Sequence, residues 1–120
     1  MTEVEMKDRT KKMALRVVAM VDSLPKKRAA FVFGDQVLRS ATSTASNYRA
    51  ACRAKSTPDF IYKLGIVEEE SDETEFWLEM IVDAGLLPAE KLADIRDEAN
   101  QITKIVAASR ITAQKNSRKR

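Results

Sequence analysis

The sequence contains no histidine, a single cysteine, three glycines and three prolines in 120 residues. Without histidine the chain cannot build a Cys–His zinc site, a Ser–His or Cys–His catalytic pair, or a Glu-x-x-His iron site. One cysteine cannot form an internal disulfide. So few glycines and prolines exclude a β-sandwich or barrel with many turns. These absences remove several classes of enzyme and most all-β folds.

Long apolar runs are also missing. Stretches such as Ala29 to Phe33 are far too short to span a bilayer, and no segment has the pattern of a signal peptide. An unpaired cysteine without an export signal is typical of a reducing compartment. We therefore predict no membrane partner and a cytoplasmic location.

Charged residues make up 32% of the chain and are well mixed in sign, as in helical proteins. Proline disfavours a helical conformation in the residue before it, so Pro25 marks the end of a first helix. Ser56 or Thr57 can cap a helix whose first turn contains Pro58, and Gly85 suits the left-handed position after a helix end. The predicted helices are Glu5–Ser23, Lys26–Ala54, Pro58–Ala84 and Pro88–Gln114.

Apolar residues recur at steps of three and four, the spacing of helices that pack nearly parallel or antiparallel. In the last segment the series is Leu92, Ile95, Ala99, Ile102 and Val106. Short joints make neighbouring helices antiparallel. We predict an all-α fold, an antiparallel up-down-up-down four-helix bundle over residues 1–114, followed by a disordered basic tail over residues 115–120.

The second helix carries two kinds of stripe. Its predicted apolar seam contains Gly34, Leu38, Ala41, Ala45, Tyr48 and Cys52. Opposite lies a small-residue stripe, which consists of Gln36, Ser40, Ser43, Asn47 and Ala54. Small side chains allow another helix to approach closely, so we favour an interface between protomers, and central burial within one subunit is the alternative.

The third helix is strongly acidic. We predict a solvated face for Glu68, Glu69, Asp72, Glu75, Glu79 and Asp83. Glu70 and Glu73 fall on the side of Trp77 and should be partly buried, where carboxylates need cationic partners. The candidate partners are Arg39, Arg49 and Lys63. Acid–base catalysis or metal binding by the glutamate pair is the less favoured alternative, because no histidine or further facing carboxylate is available.

Several polar residues match a known family in order and spacing. They lie in the runs Gln36–Ser43 (QVLRSATS), Asn47-Tyr48-Arg49, Ser56 to Leu64 (S-x-x-D-F-x-x-K-L) and Glu70 to Leu78 (E-x-D-E-T-x-x-W-L). Over Leu24–Leu87 the chain closely resembles the four helix bundle protein family, also called the 23S ribosomal RNA intervening sequence protein family. The outer helices match in length and pattern only. Ala50 departs from the family, which commonly has glutamate there.

The resemblance implies an antiparallel four-helix bundle that assembles as a ring-like homopentamer. Members are encoded within intervening sequences of large ribosomal RNA genes. A related branch resembles the accessory variability determinant of diversity-generating retroelements, which binds a reverse transcriptase and nucleic acid. No catalytic residue can be carried over. The polar set that carries over position by position is Arg39, Ser43, Asn47, Glu70 and Glu73; with Ser40 and Lys63 it forms our predicted polar network or interface.

The charges are unevenly distributed, although the net charge is only +3. Residues 26–55 carry seven bases and one acid, whereas the third helix carries nine acids and a single lysine. Repeated in an oligomer, such basic surface attracts nucleic acid in a salt-dependent manner. The predicted binding residues are Lys26, Lys27, Arg28, Arg49, Arg53, Lys115, Arg118, Lys119 and Arg120.

Two function classes follow. The first is a non-enzymatic, homo-oligomeric scaffold that binds RNA or DNA without reading base sequence, since aromatic interleaving and a helix-turn-helix pattern are absent. The second is a protein–protein adaptor that docks a partner such as a reverse transcriptase. We predict no catalytic residues, no metal and no cofactor.

Overall fold

The structure is a computed structural model of the chain, and it describes residues 1–119. These residues form four helices: α1 (Glu3–Asp22), α2 (Arg28–Cys52), α3 (Thr57–Asp83) and α4 (Ala89–Arg118). Within the described part there is no strand. Each helix packs antiparallel against the next, and α1 closes the bundle on α4, which confirms the predicted fold class.

Local chemistry explains where the helices begin and end. The Ser56 hydroxyl accepts a hydrogen bond from the Asp59 amide at 3.2 Å, and Pro58 occupies the first turn of α3. Gly85, with a φ of +71°, lies just beyond the end of α3, and the Leu86 amide donates back to the Ile81 carbonyl at 3.0 Å. The predicted joints at Pro58 and Gly85 are therefore confirmed.

Apolar residues at steps of three and four form the core in α1, α3 and α4. In α4 the whole predicted series from Leu92 to Val106 is buried, and in α3 Leu64 and Leu78 are fully enclosed. In α1, Met13 and Val17 fill the same core. The bundle is 53 Å long and about 20 Å across, so it has two well separated ends.

The basic tail differs from the prediction. Residues 115–118 continue α4 as helix to Arg118 instead of forming a disordered tail. Gln114 and Ser117 lie beside Pro58 and Ile61 of α3, so the last turns have a neighbour to rest on. Lys115 and Arg118 also complement the negative end of the helix dipole. Arg120 lies outside the described residues.

Candidate nucleic-acid and assembly surfaces

One end of the bundle gathers exposed cations; we call it the terminal end, because α1 begins there and α4 ends there, beside the α2–α3 joint. The antiparallel order brings the carboxyl ends of α2 and α4 together at this end. The exposed cations are Arg53, Lys55, Lys115, Arg118 and Lys119. Within residues 1–119 none of them forms an ion pair, so their charge is free to act on a ligand.

The opposite end carries the rest of the predicted basic set. Lys26, Lys27 and Arg28 are exposed around the start of α2. A helix rises about 1.5 Å per residue, so Arg28 and Arg53 lie roughly 37 Å apart along α2. The structure therefore divides the predicted nucleic-acid-binding residues between two ends of the molecule.

Arg49 belongs to neither end. It lies on the rim of a groove of about 490 Å³ between α1 and α2. Lys7 and Lys11 of α1 are the other cations at this rim, and Leu15 and Val18 are the largest apolar side chains that line it. We call this feature the α1–α2 groove.

Arg39 is the residue that neutralises the predicted glutamate pair. Its Nη1 lies 2.9 Å from Glu70 Oε2, and its Nη2 lies 2.6 Å from Glu73 Oε2. The hydrogen bond from Arg39 holds the pKa of Glu73 below its usual value, and the Trp77 indole, which donates to Glu73 at 3.2 Å, acts in the same direction. The pair therefore has partners within its own subunit and serves to join α2 to α3.

Ser40 occupies a different place from the one predicted. It is fully buried inside the bundle, where its hydroxyl donates to the Val37 carbonyl and accepts from the Thr74 hydroxyl at 2.9 Å. A hydroxyl that bonds to a carbonyl of its own helix can enter a core at little cost. Ser40 is therefore part of the α2–α3 contact and not of a surface opposite the core.

The remaining polar candidates make local contacts. The Asn47 amide donates to the carbonyl and the hydroxyl of Ser43, both at 2.9 Å, and both residues are half-buried. Lys63 pairs with Asp59 one turn away at 2.9 Å and lowers the pKa of that carboxyl. Lys63 is thus engaged at the start of α3, and it does not partner Glu70 or Glu73.

Two ion pairs across α3 and α4 were missed by the sequence reasoning. Glu75 accepts from Arg96 with both oxygens at 2.9–3.2 Å, and Glu68 accepts from Arg110 at 2.8 Å. The prediction of a solvated face is wrong for these two glutamates. Their spacing of seven on α3 and the spacing of fourteen between the arginines on α4 were the available signal, because such positions recur on one side of a helix.

Residues 1–119 contain no cluster of acidic, histidine or cysteine side chains able to hold a metal ion. Burial raises the pKa of the Cys52 thiol and of the neighbouring Tyr48 hydroxyl above their usual values. A thiol kept protonated is a poor nucleophile, so Cys52 is a packing residue at the end of α2.

Fold and surface together define an antiparallel four-helix-bundle protein with charged outer surfaces and a polar α2–α3 contact. A family model described as 23S rRNA-intervening sequence protein matches residues 2–108. The chain therefore belongs to the 23S rRNA-intervening sequence protein family, which confirms the resemblance seen in its polar motifs.

A solved structure gives a second comparison. The chain is similar to a protein of unknown function from the S23 ribosomal protein family of Bacteroides thetaiotaomicron, at 34% sequence identity and a TM-score of 0.84. The match covers 92% of this chain and 98% of the other. The comparison with curated proteins found no match. No helix within residues 1–119 is both long enough and apolar enough to cross a membrane.

Proposed function

We propose that this protein is a non-enzymatic, homo-oligomeric scaffold that binds nucleic acid through the cations of its terminal end. The observation that carries the proposal is the convergence of Arg53 and Lys55, which follow α2, with Lys115 and Arg118 of α4 and Lys119 just beyond it. Five exposed cations at one end of a 53 Å bundle form a compact positive surface. The unpaired cysteine of this protein is typical of proteins in a reducing cytoplasm, where we expect it to act.

The local charge balance supports this assignment. The acids nearest this end are Glu3 and Glu5 in the first turn of α1, and Asp59, which Lys63 already neutralises. The cations therefore outnumber the free acids. Assembly as a pentamer, the number that the family resemblance implies, would repeat this surface five times around a ring. Long, mobile lysine and arginine side chains suit phosphate contacts and give no reading of base sequence.

The test compares charge reversals at the two ends. We expect Lys115→Glu with Arg118→Glu to weaken binding of a labelled single-stranded RNA about tenfold or more. The slope of log affinity against log salt should fall by about 0.7 for each phosphate of the single strand that the variant no longer neutralises. Fluorescence anisotropy at about 50 and about 200 mM salt gives both quantities. Lys26→Glu with Lys27→Glu is the matched control, because it removes equal charge at the opposite end.

Either of two results would overturn the nucleic-acid proposal. One is a wild-type protein that fails to bind RNA and DNA at low salt. The other is equal weakening by both double variants, which would mean that the net charge and not the terminal end attracts the nucleic acid.

An adaptor is the second candidate, and one observation favours it. Phe31 and Val32 on α2 are 60% and 50% exposed, close to the cations of the opposite end. Exposed apolar side chains of this size are common in protein interfaces. A partner protein such as a reverse transcriptase, docked there, would bind with weak dependence on salt, and Phe31→Ser would abolish that binding without affecting the terminal end.

A further inference from the structure

The outward side of α3 carries an unusual pattern. Directly away from the core lies what we call the acidic stripe: Glu69, Asp72, Phe76, Glu79 and Asp83. These positions step by three and four, so they follow one face of the helix. Phe76 is 49% exposed, and among the described residues none of the four acids forms an ion pair. The stripe therefore consists of one exposed aromatic side chain, Phe76, flanked by four acids that have no ion-pair partner among the described residues.

The α1–α2 groove is complementary to this stripe in both respects. Leu15 and Val18, which line it, are 58% and 39% exposed. Lys7, Lys11 and Arg49 at its rim form no ion pair within residues 1–119, and no acid lines the groove. Helices that dock in a groove between two other helices do so through apolar anchor residues, and Phe76 is the anchor that this stripe offers.

The heights of the two surfaces along the bundle also agree. The hydrogen bond between Ser40 and Thr74 sets α2 against α3, which places Gly34 of α2 at the height of Met80. Val21 of α1 and Leu24 just beyond it lie beside Gly34, where they would meet a Cβ on that residue, and Met6 lines a cleft with Leu64. The helix α1 therefore runs parallel to α3 with a constant offset. Lys11 therefore lies at the height of Glu69, and Val18 at the height of Phe76.

We propose that the acidic stripe of one copy docks into the α1–α2 groove of the next copy, with Phe76 between Leu15 and Val18. Because the two surfaces differ, the contact is head-to-tail, and repeated rotation closes it into a ring. If the ring axis is parallel to the long axis of the bundle, all copies lie at the same height along that axis. Glu69 of one copy then faces Lys11 of the next. This inference rests on the proposed homo-oligomeric scaffold and names the contact that would build it.

Charge reversal tests the pairing. We expect Lys7→Glu with Lys11→Glu to raise the dissociation constant of the assembly at least about 100-fold, because like charges would then face each other. Glu69→Lys with Asp72→Lys should do the same. The chain that combines all four changes again gives the two surfaces opposite charges, with the pair at positions 11 and 69 reversed, and we expect it to assemble again. Sedimentation velocity reports the mass as a multiple of the 13.5 kDa chain.

Controls separate the possible results. The double variant Lys26→Glu, Lys27→Glu changes the charge equally at the opposite end and should leave assembly intact, and circular dichroism verifies that each variant is folded. If the wild-type chain is a monomer, the proposed scaffold itself fails. If the wild type assembles and the groove and stripe variants assemble equally well, or the combined chain does not recover, this contact is wrong while the scaffold stands.

Other occupants of the groove give distinct outcomes. Loss of RNA binding on reversal of Lys7 and Lys11, with assembly unchanged, would assign the groove to nucleic acid and overturn the proposed contact. Phe76→Ser supplies an independent check that leaves the charges untouched. It should weaken assembly, whereas Ile111→Ser, at a similarly exposed apolar residue on α4, should not.

Discussion

The contact between α2 and α3 differs from the contact between α1 and α4 in the side chains that hold the two helices together. Between α2 and α3, fully buried Ala41 and Ser40 leave room for close approach, and Arg39 bonds both Glu70 and Glu73. Between α1 and α4, closure depends on Arg9, which bonds Glu98 and Gln101. Nearer the terminal end a cleft of about 550 Å³ remains, lined by Met6 and Ile105.

This difference indicates that α2 and α3 form the rigid half of the molecule. Helices with small residues at their contact share more of their surface, whereas α1 packs closely against α2 and only sparsely against α4. The proposed contact between copies uses both halves: α3 supplies the stripe and α1 supplies one wall of the groove. Assembly would therefore cover the less secure helix.

The largest effect that tests this comparison is a cavity. Ile81→Ala removes a fully buried side chain of α3 and should lower the free energy of unfolding by about 2–5 kcal/mol. Ile105→Ala borders the open cleft and is only half-buried, so about half that loss is expected. Urea unfolding measures both. Equal losses would contradict the idea that the two contacts differ in packing.

Hydrogen exchange should show the same order locally. Amides in the first half of α1 should exchange at least about tenfold faster than those in the middle of α3, because opening α1 breaks fewer buried contacts. Nuclear magnetic resonance or mass spectrometry measures these rates, at protein concentrations lower than those at which the chain assembles. Uniform protection across all four helices would mean that the bundle opens only as a whole.

A smaller effect is expected from the buried hydroxyls. Ser40→Ala should cost about 1 kcal/mol, because Thr74 loses its partner across the contact but can still donate to the Glu70 carbonyl at 2.8 Å. Ser46→Ala is the matched control on the same helix, where the hydroxyl is exposed and bonds only within α2. Thermal unfolding should separate the two variants. Equal stability of the two variants would mean that the hydrogen bond between Ser40 and Thr74 does not stabilise the contact.

These residues also explain what the sequence could predict. The joints were predictable, because Pro58 fixes its own φ and Gly85 tolerates the positive φ needed after a helix end. The seams of α3 and α4 were predictable, because their buried residues recur at steps of three and four and are mostly apolar. The seam of α2 was predicted only in part: Gly34, Ala41 and Tyr48 are buried, whereas Leu38, Ala45 and Cys52 are partly buried at its edge. Its buried face includes Val37, Ser40 and Thr44, and the two hydroxyls bond carbonyls of their own helix. Buried polar residues whose hydrogen bonds are satisfied in this way cannot be identified from a hydrophobicity pattern.

The candidate surfaces were only partly predictable for a related reason. Charge counts identified the basic residues, yet which of them share an end depends on the antiparallel order and on how far each helix extends. The helical extension of α4 to Arg118 places Lys115 beside the terminal end. The α1–α2 groove was missed, because it needs two helices in register, and neither helix shows a groove by itself.

The smallest expected effect concerns the pH dependence of the α2–α3 contact. Arg39 lowers the pKa of Glu73 in the folded protein, so the ionised carboxylate favours folding. That contribution is present above the ordinary glutamate pKa of about 4.3 and is lost as the pH falls through the lowered value. Both side chains are partly exposed, so it amounts to about 0.5 kcal/mol. Glu73→Gln should be less stable than wild type by this amount at neutral pH, and the difference should shrink as the pH falls through the lowered pKa of Glu73. In an Arg39→Ala background most of the difference should be lost, because only the smaller effect of the Trp77 hydrogen bond remains. An undiminished difference would place its origin outside the Arg39–Glu73 pair.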